Sequence, residues 1–335
     1  MKRSLIRGRI AASVTLWAGA VLTGLTMLAA AAPAWSQTYP ARAVRVIVPY
    51  APGGGSDVIS RILAQRMSEI LGRQFVIDNR AGANGIIGTE IAVQAPADGY
   101  TLLYVSSPHA VNPSMYRKLP YDTLKDLAPI SEVATAASIL VVHPSLPART
   151  VREFVALAKA RPGQIDYASG GAGGSPHLAT ELFKKMAGIN LTHVPYRGAG
   201  PALTDVLAGQ VQVMFASSAP AMPHIQSARL RALGISTTKR SAVAPDIPTI
   251  AESGVPGFEA ITMFGLLAPA NVPRAIIDTL NAAVHKVMRS PEVGDSLKAL
   301  GADVVVTTPE EFGRVIESEM KRWGELVRAL KLQVE

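Results

Sequence analysis

The sequence predicts an α/β protein in which short strands alternate with helices around parallel sheets. Two observations carry this prediction. Short runs rich in Val, Ile and Tyr recur along the chain, and segments with apolar residues at helical spacing separate them. Several of the turns that lead from a strand into a helix consist almost entirely of glycine, alanine and serine. Such turns gather at the carboxyl ends of the strands in a doubly wound sheet, where ligands bind.

The first part of the chain shows this alternation most clearly. Residues 44–50 form an apolar β-rich run, and the segment after the three glycines has one apolar helical face that ends at Gly72. A second strand is predicted at FVIDNR (75–80), a helix over 85–93 and a third strand over 101–107.

The remaining elements follow the same scheme. Residues 138–144 are the next strand, and a capping box of Thr150 and Glu153 opens the helix behind it. Further strand-and-helix units are predicted from 165 to 237, and the Pro- and Gly-rich segment 239–260 is predicted to be a long connection. A strand over 264–269 precedes two helices, the last of which opens with a second capping box, Thr308 to Glu311.

The chain is predicted to cross between two lobes more than once, because no linker divides it cleanly. The crossings are expected near 138–144 and 260–266. Lobe I then comprises residues 37–140 and 263–335, lobe II comprises residues 141–262, and the ligand cleft lies between them.

The first 36 residues have the layout of a secretory signal peptide. Four basic residues precede an apolar run from 10 to 32, and small residues follow at Ala34 and Ser36. We predict cleavage after Ser36, with Ala34 as the second choice; the alternative is a retained membrane anchor. Removal of this segment takes away four positive charges and no acidic ones, so the net charge falls from +8 to +4. The basicity is therefore no argument for a nucleic-acid partner.

Cysteine is absent from the sequence. This excludes a lipoprotein anchor, a thiol nucleophile, a disulfide framework and a cysteine-based metal site. No histidine pair has zinc-binding spacing, so neither a metal nor another cofactor is predicted.

Four strand-to-helix turns consist mainly of small residues: APGGGSD (51–57), GGAGGSPHL (170–178), RGAGP (197–201) and ASSAP (216–220). In the first two, Ser56 or Asp57 and then Ser175 are the predicted N-caps, with Pro176 at the first helical position. A helix start offers free N–H groups and a positive dipole end, and glycine lets an anion approach. The alternative is that the glycines serve only tight turns.

The anion is predicted to be a carboxylate, because the nucleotide-binding motifs fail in detail. The first loop has neither the Gly-Lys-Ser/Thr ending of a P-loop nor the spacing of a dinucleotide fingerprint. An enzyme is not predicted, since Ser175 is followed by Pro176 and His177 and forms no nucleophile elbow. His177 either points into the cleft or has a structural role, His109 is a cleft candidate, and the other histidines are predicted at the surface or in packing. Asp57 is better explained as a cap than as a base.

Several long motifs resemble the Bug, or TctC-like, family of periplasmic solute receptors of tripartite tricarboxylate transporters. The resemblance covers nearly all of the chain after Tyr39, and it is carried by YPARAVRVIVPYAPGGGSD, VIDNRAGANGIIGTE, APADGYTLLYVSS, NPSMYRKLPYD, YASGGAGGSPHLATELF, HVPYRGAGPALTDVLAGQVQVMF and KRSAVAPDIPTIAESGVPGFE. It implies a two-lobed, periplasmic-binding-protein-like (type II) fold, each lobe a Rossmann-like sheet flanked by helices. It also implies a ligand carboxylate held mainly by backbone amides, hydroxyls and waters from loops 51–57 and 170–177.

The predicted ligand-binding residues lie in or next to these turns or at the end of the strand over 101–107: Tyr50, Pro52, Gly53, Gly54, Gly55, Ser56, Asp57, Ser106, Ser107, His109, Ser169, Gly171, Gly174, Ser175, His177, Tyr196, Arg197, Ala216 and Ser217. Arg197 either adds charge to the site or faces solvent. Ala216 stands where the family often has an acidic or amide residue, so an ammonium-bearing ligand is disfavoured.

The function predicted from these features is that of a periplasmic solute-binding protein, a monomer and not an enzyme. It captures a small organic carboxylate by hinge closure and delivers it to the membrane subunits of a tripartite tricarboxylate-type transporter. Two alternatives stay open: a secreted α/β hydrolase, and a ligand receptor that signals to a membrane sensor.

Overall fold

The computed structural model describes residues 39–241 and 244–333. The predicted signal peptide and its cleavage site lie outside these residues. The described chain is a mixed α/β protein with a ten-stranded sheet. Eight strands lie side by side in the order β2 (Phe75–Asn79), β1 (Val44–Val48), β3 (Thr101–Ser106), β9 (Ile261–Pro269), β4 (Leu127–Val142), β7 (Val213–Ser217), β5 (Asp166–Ser169) and β6 (Thr192–Pro195). Strands β8 (Arg231–Ile235) and β10 (Ala302–Val304) also pair with β4. No helix within the described ranges is long and apolar enough to cross a membrane.

The first half of the sheet contains three parallel strands joined by helices. Its elements are β1 (Val44–Val48), α1 (Gly55–Leu71), β2 (Phe75–Asn79), a short 3-10 turn (Ala83–Gly85), α2 (Ile86–Val93), β3 (Thr101–Ser106) and α3 (Pro108–Met115). The three strands and helices α1 and α2 were predicted from the sequence, and α3 was not. The apolar face of α1 packs Ile59, Leu63 and Met67 into the core that covers these strands.

Strand β4 (Leu127–Val142) connects the two halves of the sheet. Its residues up to Ala137 pair antiparallel with β9, and Ala134–Ala136 also pair with β10 on the other side. From Ser138 onward the partners are β7 and β8. The sequence predicted only residues 138–144 of this strand, so the strand begins eleven residues earlier than expected. One continuous strand therefore belongs to both halves of the sheet.

The second half of the sheet repeats the alternation of strand and helix. Its elements are α4 (Val151–Ala160), β5 (Asp166–Ser169), α5 (Ser175–Ala187), β6 (Thr192–Pro195), α6 (Ala199–Leu207), β7 (Val213–Ser217), α7 (Ser218–Gln226) and β8 (Arg231–Ile235). Strand β5 lies parallel to both β6 and β7. The carboxyl ends of these three strands therefore point the same way, and the loops that follow them lie together.

The C-terminal part returns the chain to the first half. It consists of β9 (Ile261–Pro269), α8 (Arg274–Met288), α9 (Pro291–Ala299), β10 (Ala302–Val304) and α10 (Pro309–Leu330). Helix α10 begins with the predicted capping box, in which Thr308 Oγ1 accepts from the Glu311 amide and the Glu311 carboxylate accepts from the Thr308 amide. The helix α4 cap is a half box, because the Glu153 carboxylate accepts from the Arg149 amide instead.

Helix α10 packs against both halves of the molecule. Phe312 and Ile316, near its start, lie in a core cluster with Ile47 and Leu103 of the first half. Three residues near its end lie in the core cluster of the second half: Trp323, Leu326 and Val327. Both halves thus share strand β4 and this helix, which limits how they can move with respect to each other.

Candidate ligand-binding site

The predicted loops gather at the carboxyl ends of the strands. Loop 49–54 follows β1, loop 80–85 follows β2 and the turn at Ser107 follows β3. In the second half, loop 170–174 follows β5, Tyr196 to Gly198 follow β6, and Ser218 follows β7. This is the edge at which open α/β sheets bind ligands.

The first loop leads into α1 with its backbone exposed. Residues 51–55 are exposed, and the helix begins at Gly55 with Gly54 as its N-cap. The prediction that Ser56 or Asp57 is the cap was wrong. Asp57 instead occupies the first turn, where its carboxylate accepts from the Gly53 amide at 3.0 Å. The amides of Gly55, Ser56 and Asp57 stand at a helix start, where N–H groups have no intrahelical acceptor.

Asp57 is an anchor of this loop and carries a compensated charge. Its carboxylate lies 2.9 Å from an Arg61 guanidinium nitrogen and accepts from Asn79 Nδ2 at 2.9 Å. Burial alone would raise the pKa of Asp57, but the Arg61 guanidinium and the Gly53 amide outweigh it and hold that pKa below its usual range. A lowered pKa suits a structural anion and not a general base, although Asp57 is not the helix cap.

The glycines of the first loop differ in what the fold requires of them. Gly53 has a φ of +83°, which favours glycine. Gly54 and Gly55 have no such φ, and a Cβ added at Gly55 would meet nothing within 4 Å, while one at Gly54 would meet only the Ala51 carbonyl at 3.9 Å. The fold therefore explains the first glycine and leaves the next two unexplained. These two positions border the helix start.

Tyr50 joins this loop to the next strands. Its hydroxyl oxygen accepts from the Ser106 amide at 3.1 Å, and its carbonyl accepts from Asn79 Nδ2 at 3.1 Å. Burial raises the pKa of Tyr50 to about 12, so the phenol stays neutral. Asn79 was not predicted as a site residue, although its place at the end of β2 was a signal for it.

The second loop holds its glycines for structural reasons. Gly171 and Gly173 have φ values of +132° and +76°. A Cβ at Gly170 would lie 2.9 Å from the Ala199 amide nitrogen, so this position also needs glycine. Helix α5 begins at Ser175 with Gly174 as its N-cap, and the prediction that Ser175 is the cap was wrong. Ser175 and Pro176 are half-buried in the first turn.

Two side chains under the second loop bind its backbone. Ser169 Oγ accepts from the Gly171 amide at 3.2 Å and lies 2.6 Å from His193 Nε2. His177 Nδ1 accepts from the Gly173 amide at 3.1 Å. Ser169 and His177 are both buried, so they stand behind the loop. Of the two roles considered for His177, the structure gives a hydrogen bond to the backbone.

The second loop contacts the first half of the molecule at Gly173. A Cβ at this glycine would lie 2.9 Å from Asn84 Nδ2 and 3.3 Å from Met115 Cε. Asn84 is fixed by a reciprocal amide pair with Asn112, in which each Nδ2 donates to the other residue, at 2.9 and 3.1 Å. Neither asparagine was predicted as a site residue. The positive φ of Asn84, +53°, is not visible in the sequence.

The residues predicted after β3 are mostly engaged in the interior. Ser107 Oγ accepts from the Met263 amide at 3.0 Å, and Ser106 is buried. His109 is 2% exposed and stacks on Tyr121 with 6.4 Å between ring centroids. Neither of its ring nitrogens has a hydrogen-bond partner among the described residues. Burial lowers the pKa of His109 to about 4, so its ring is neutral at neutral pH.

The residues predicted after β6 and β7 are spread over different environments. The Tyr196 hydroxyl donates to Asp205 at 2.6 Å, and chiefly this bond raises the pKa of Tyr196 to about 12. Arg197 is exposed and forms no ion pair with any carboxylate of the described residues. Ala216 is 1% exposed and packs in an apolar core cluster, whereas Ser217 is half-buried at the end of β7.

Two surface grooves lie away from these loops. One, of about 510 Å³, lies between α1 and β2, and the other, of about 400 Å³, lies beside the start of α10. Neither is lined by a predicted site residue. We place the site at the loops because polar backbone groups from several strands converge there. No group of three or more metal-ligating side chains occurs in the described ranges.

Two halves of an α/β sheet that share a continuous strand, with glycine-rich loops at the strand ends, are typical of the class of periplasmic-binding-protein-like folds. A profile described as the tripartite tricarboxylate transporter family receptor, TctC, matches residues 59–332. The chain belongs to this family of receptors. The resemblance and the fold class predicted from the sequence are thereby confirmed.

Individual relatives agree with this assignment over most of their length. The protein BugT of Bordetella pertussis is 40% identical over 300 residues, which cover 89% of this chain and 92% of BugT. The solved structure of Rpa4515 of R. palustris with adipate is 35% identical, with a TM-score of 0.82 and coverage of 87% and 97%. MatC of Rhodopseudomonas palustris, solved with bound malate, is 30% identical, with a TM-score of 0.79 and coverage of 86% and 100%.

Proposed function

We propose that this receptor binds a small organic carboxylate between the two halves of its sheet and releases it to the membrane subunits of a tripartite transporter. The carrying observation is the pair of glycines, Gly54 and Gly55, which neither backbone conformation nor crowding requires. Bare backbone at a helix start lets a carboxylate reach the free amides of α1. The related structures with adipate and malate support a carboxylate as the ligand.

The second loop supplies the opposing side of the proposed site. The helix start at Ser175 gives a second set of amides without intrahelical acceptors, and the half-buried Ser175 hydroxyl adds a donor. The charges of Asp57 and Arg61 compensate each other. Neutral donors and two helix dipoles therefore hold the carboxylate. Arg197, which has no ion-pair partner in the described ranges, borders the second loop.

The ligand is proposed to carry no ammonium group. Asp57, the buried carboxylate beside the first loop, is already bonded to Arg61, Asn79 and the Gly53 amide. Ala216, near the end of β7, is buried and has no polar side-chain atom. A cationic group would therefore lose its water without gaining a partner.

Hinge closure is the proposed mode of capture. The proposed lobes are residues 37–140 with 263–335, and residues 141–262, and they meet where Gly173 contacts Asn84. The chain is proposed to act as a monomer in the periplasm, exported by a signal peptide of residues 1–36. Closure around a ligand by rotation about shared strands is a common device of two-lobed receptors.

Catalysis is not part of the proposal. Ser169 and His193 form a hydroxyl–imidazole pair at 2.6 Å, as a nucleophile and its base would. However, Ser169 is 0% exposed and its oxygen already accepts from the Gly171 amide, so no substrate can reach it. We expect no hydrolysis of p-nitrophenyl acetate above that of a Ser169→Ala variant.

A thermal-shift series with matched ligand pairs tests the proposal. The protein is unfolded, freed of retained ligand and refolded before each thermal scan. Two matched pairs, adipate with 2-aminoadipate and malate with aspartate, are tested, and citrate and benzoate are tested singly. We expect a rise in Tm that grows with the concentration of at least one carboxylate, as mass action requires, and no rise with the amino-acid partner of each pair. A panel without any shift contradicts carboxylate binding, and a shift with the amino acids contradicts the exclusion of an ammonium group.

A double variant, Ser56→Trp with Ser175→Trp, tests whether the ligand binds at the two loops. Both residues are only half-buried in the first turns of their helices, so the fold is expected to tolerate the change. We expect the thermal shift to disappear while the far-UV circular dichroism stays that of the wild type. Retained binding would move the site away from these loops.

A further inference from the structure

We propose that His177 is a positioning residue: it does not touch the ligand but fixes the second ligand loop by accepting a hydrogen bond from the Gly173 amide. This inference rests on the proposed function, because it concerns how that loop presents its donors. The 3.1 Å bond from Gly173 N to His177 Nδ1 is buried, and it closes the loop onto the first turn of α5.

The hydrogen bond specifies one tautomer of His177. Since Nδ1 accepts from an amide, the proton of the neutral ring must stand on Nε2. A protonated ring would place an N–H against the Gly173 N–H and break the contact. Burial first, and then the neighbouring His193, lowers the pKa of His177 to about 4, so the ring remains an acceptor at neutral pH.

A stack of three rings holds His177 in this orientation. Its ring lies 4.3 Å from that of His193, which lies 4.7 Å from that of Tyr167. The charged groups facing the stack are Glu181 and Lys184, both on α5, and Glu181 accepts from Tyr167 and from Lys184 at 2.6 Å each. The ring cannot rotate away from the loop without disturbing this packing.

The same stack reaches the loop at a second point. His193 contacts Ser169, whose hydroxyl oxygen accepts from the Gly171 amide at 3.2 Å. The two histidines therefore fix the amides of Gly171 and Gly173, one of them directly. These bonds select the positive φ values at both glycines and leave the helix start at Ser175 open to the ligand. They also place Gly173 against Asn84 of the opposite half.

Two substitutions separate the acceptor atom from the ring. His177→Asn keeps an acceptor oxygen close to the position of Nδ1 and loses the stacked ring, whereas His177→Phe keeps a ring and loses the acceptor. We expect hydrogen exchange of the amides in loop 170–174 to be about tenfold faster in His177→Phe and within about threefold of the wild type in His177→Asn, because only the first leaves the Gly173 donor unpaired. A purely structural ring would give the reverse order.

Binding of adipate and malate, measured by calorimetry on the same variants, connects the loop to the ligand. We expect the affinity for whichever of these binds to fall about tenfold in His177→Phe and to be rescued in His177→Asn. If neither acid binds the wild type, the proposed function fails for these probes. The exchange result then still decides the role of His177, so the two failures are distinguishable.

A nitrogen-15 spectrum of the unsubstituted protein tests the inference even where a variant does not fold. Long-range correlations to the ring protons identify which nitrogen of His177 carries the proton. We expect Nδ1 to be unprotonated and Nε2 protonated at pH 7. A protonated Nδ1, or unchanged loop exchange in His177→Phe, would overturn the inference.

Discussion

Acidification is expected to destabilise the protein through His109, the buried histidine on α3. Its ring nitrogens have no hydrogen-bond partners in the part of the chain that the structure describes, and its exposure is 2%, so burial lowers the pKa of His109 to about 4 in the folded chain. The value in the unfolded chain is near the ordinary one of 6.5. The unfolded state therefore binds the proton first, and the stabilising contribution present above pH 6.5 is lost as the pH falls toward 4.

The two pKa values set the size of this effect. Between pH 7 and pH 5 the difference in proton binding removes about 2 kcal/mol of unfolding free energy for this one side chain. His177 contributes a similar loss because its pKa is lowered in the same way. Asp57, whose pKa is held below its usual range, loses its contribution only at lower pH.

A His109→Met variant isolates the share of His109. Methionine has a similar volume and no ionisable group, so it fits the apolar surroundings of α3. Urea denaturation of both proteins at pH 7 and pH 5 gives the two losses of unfolding free energy. We expect the loss in the variant to be smaller by about 2 kcal/mol. Equal losses would refute the reasoning and indicate a solvated His109, which would restore it as a cleft residue.

Three further predictions concern glycines and a helix cap. Gly265→Ala is expected to cost about 1–3 kcal/mol or more, measured by urea denaturation, because the new Cβ would lie 2.0 Å from the Phe312 ring; an unchanged midpoint contradicts the packing of α10 on β9. Gly173→Ala is expected to cost roughly 1–2 kcal/mol from its φ of +76° and to weaken ligand binding through the contact with Asn84. Full ligand affinity of Gly173→Ala in calorimetry would show that the contact with Asn84 plays no part in closure around the ligand. Thr308→Ala is expected to cost about 1 kcal/mol and Thr308→Ser much less, since serine keeps the cap of α10. Equal losses of unfolding free energy in Thr308→Ala and Thr308→Ser would contradict a capping role of the Thr308 hydroxyl.

The alternation of strands and helices was predictable because each short element carries its own local signal. Helix α1 shows apolar residues at helical spacing, and α10 begins with a complete capping box. In contrast, the first part of β4 contains Pro129, Ser131 and Glu132, whose places are set by pairing with β9 and by register shifts. Such long-range pairing leaves no periodic pattern in the strand itself. Helix α3 lacked a helical signal because it contains Pro113, and proline is disfavoured inside a helix.

The candidate site was predictable at the level of loops and not of side chains. Glycine content located loops 51–57 and 170–177, since local composition determines where bare backbone lies. The caps were predicted one to three residues too late, because Gly54 and Gly174 occupy the positions expected for serine or aspartate. The contact of Asn84 with Gly173 joins residues far apart in the chain, and only the folded arrangement brings them together.

The central claim, that a carboxylate approaches bare backbone at the start of α1, is tested most directly by two glycine-to-alanine variants. Gly55 and Gly294 both lie in helices, and a Cβ added at either meets nothing within 4 Å. Each change is expected to leave stability equal or raise it by roughly 0.5–1 kcal/mol, since alanine favours helices. Calorimetry with the carboxylate that gives the largest thermal shift then measures binding. We expect Gly55→Ala to weaken binding about tenfold or more, the loss of roughly one charge-assisted hydrogen bond, and Gly294→Ala to leave it unchanged. Full affinity in Gly55→Ala would contradict the claim.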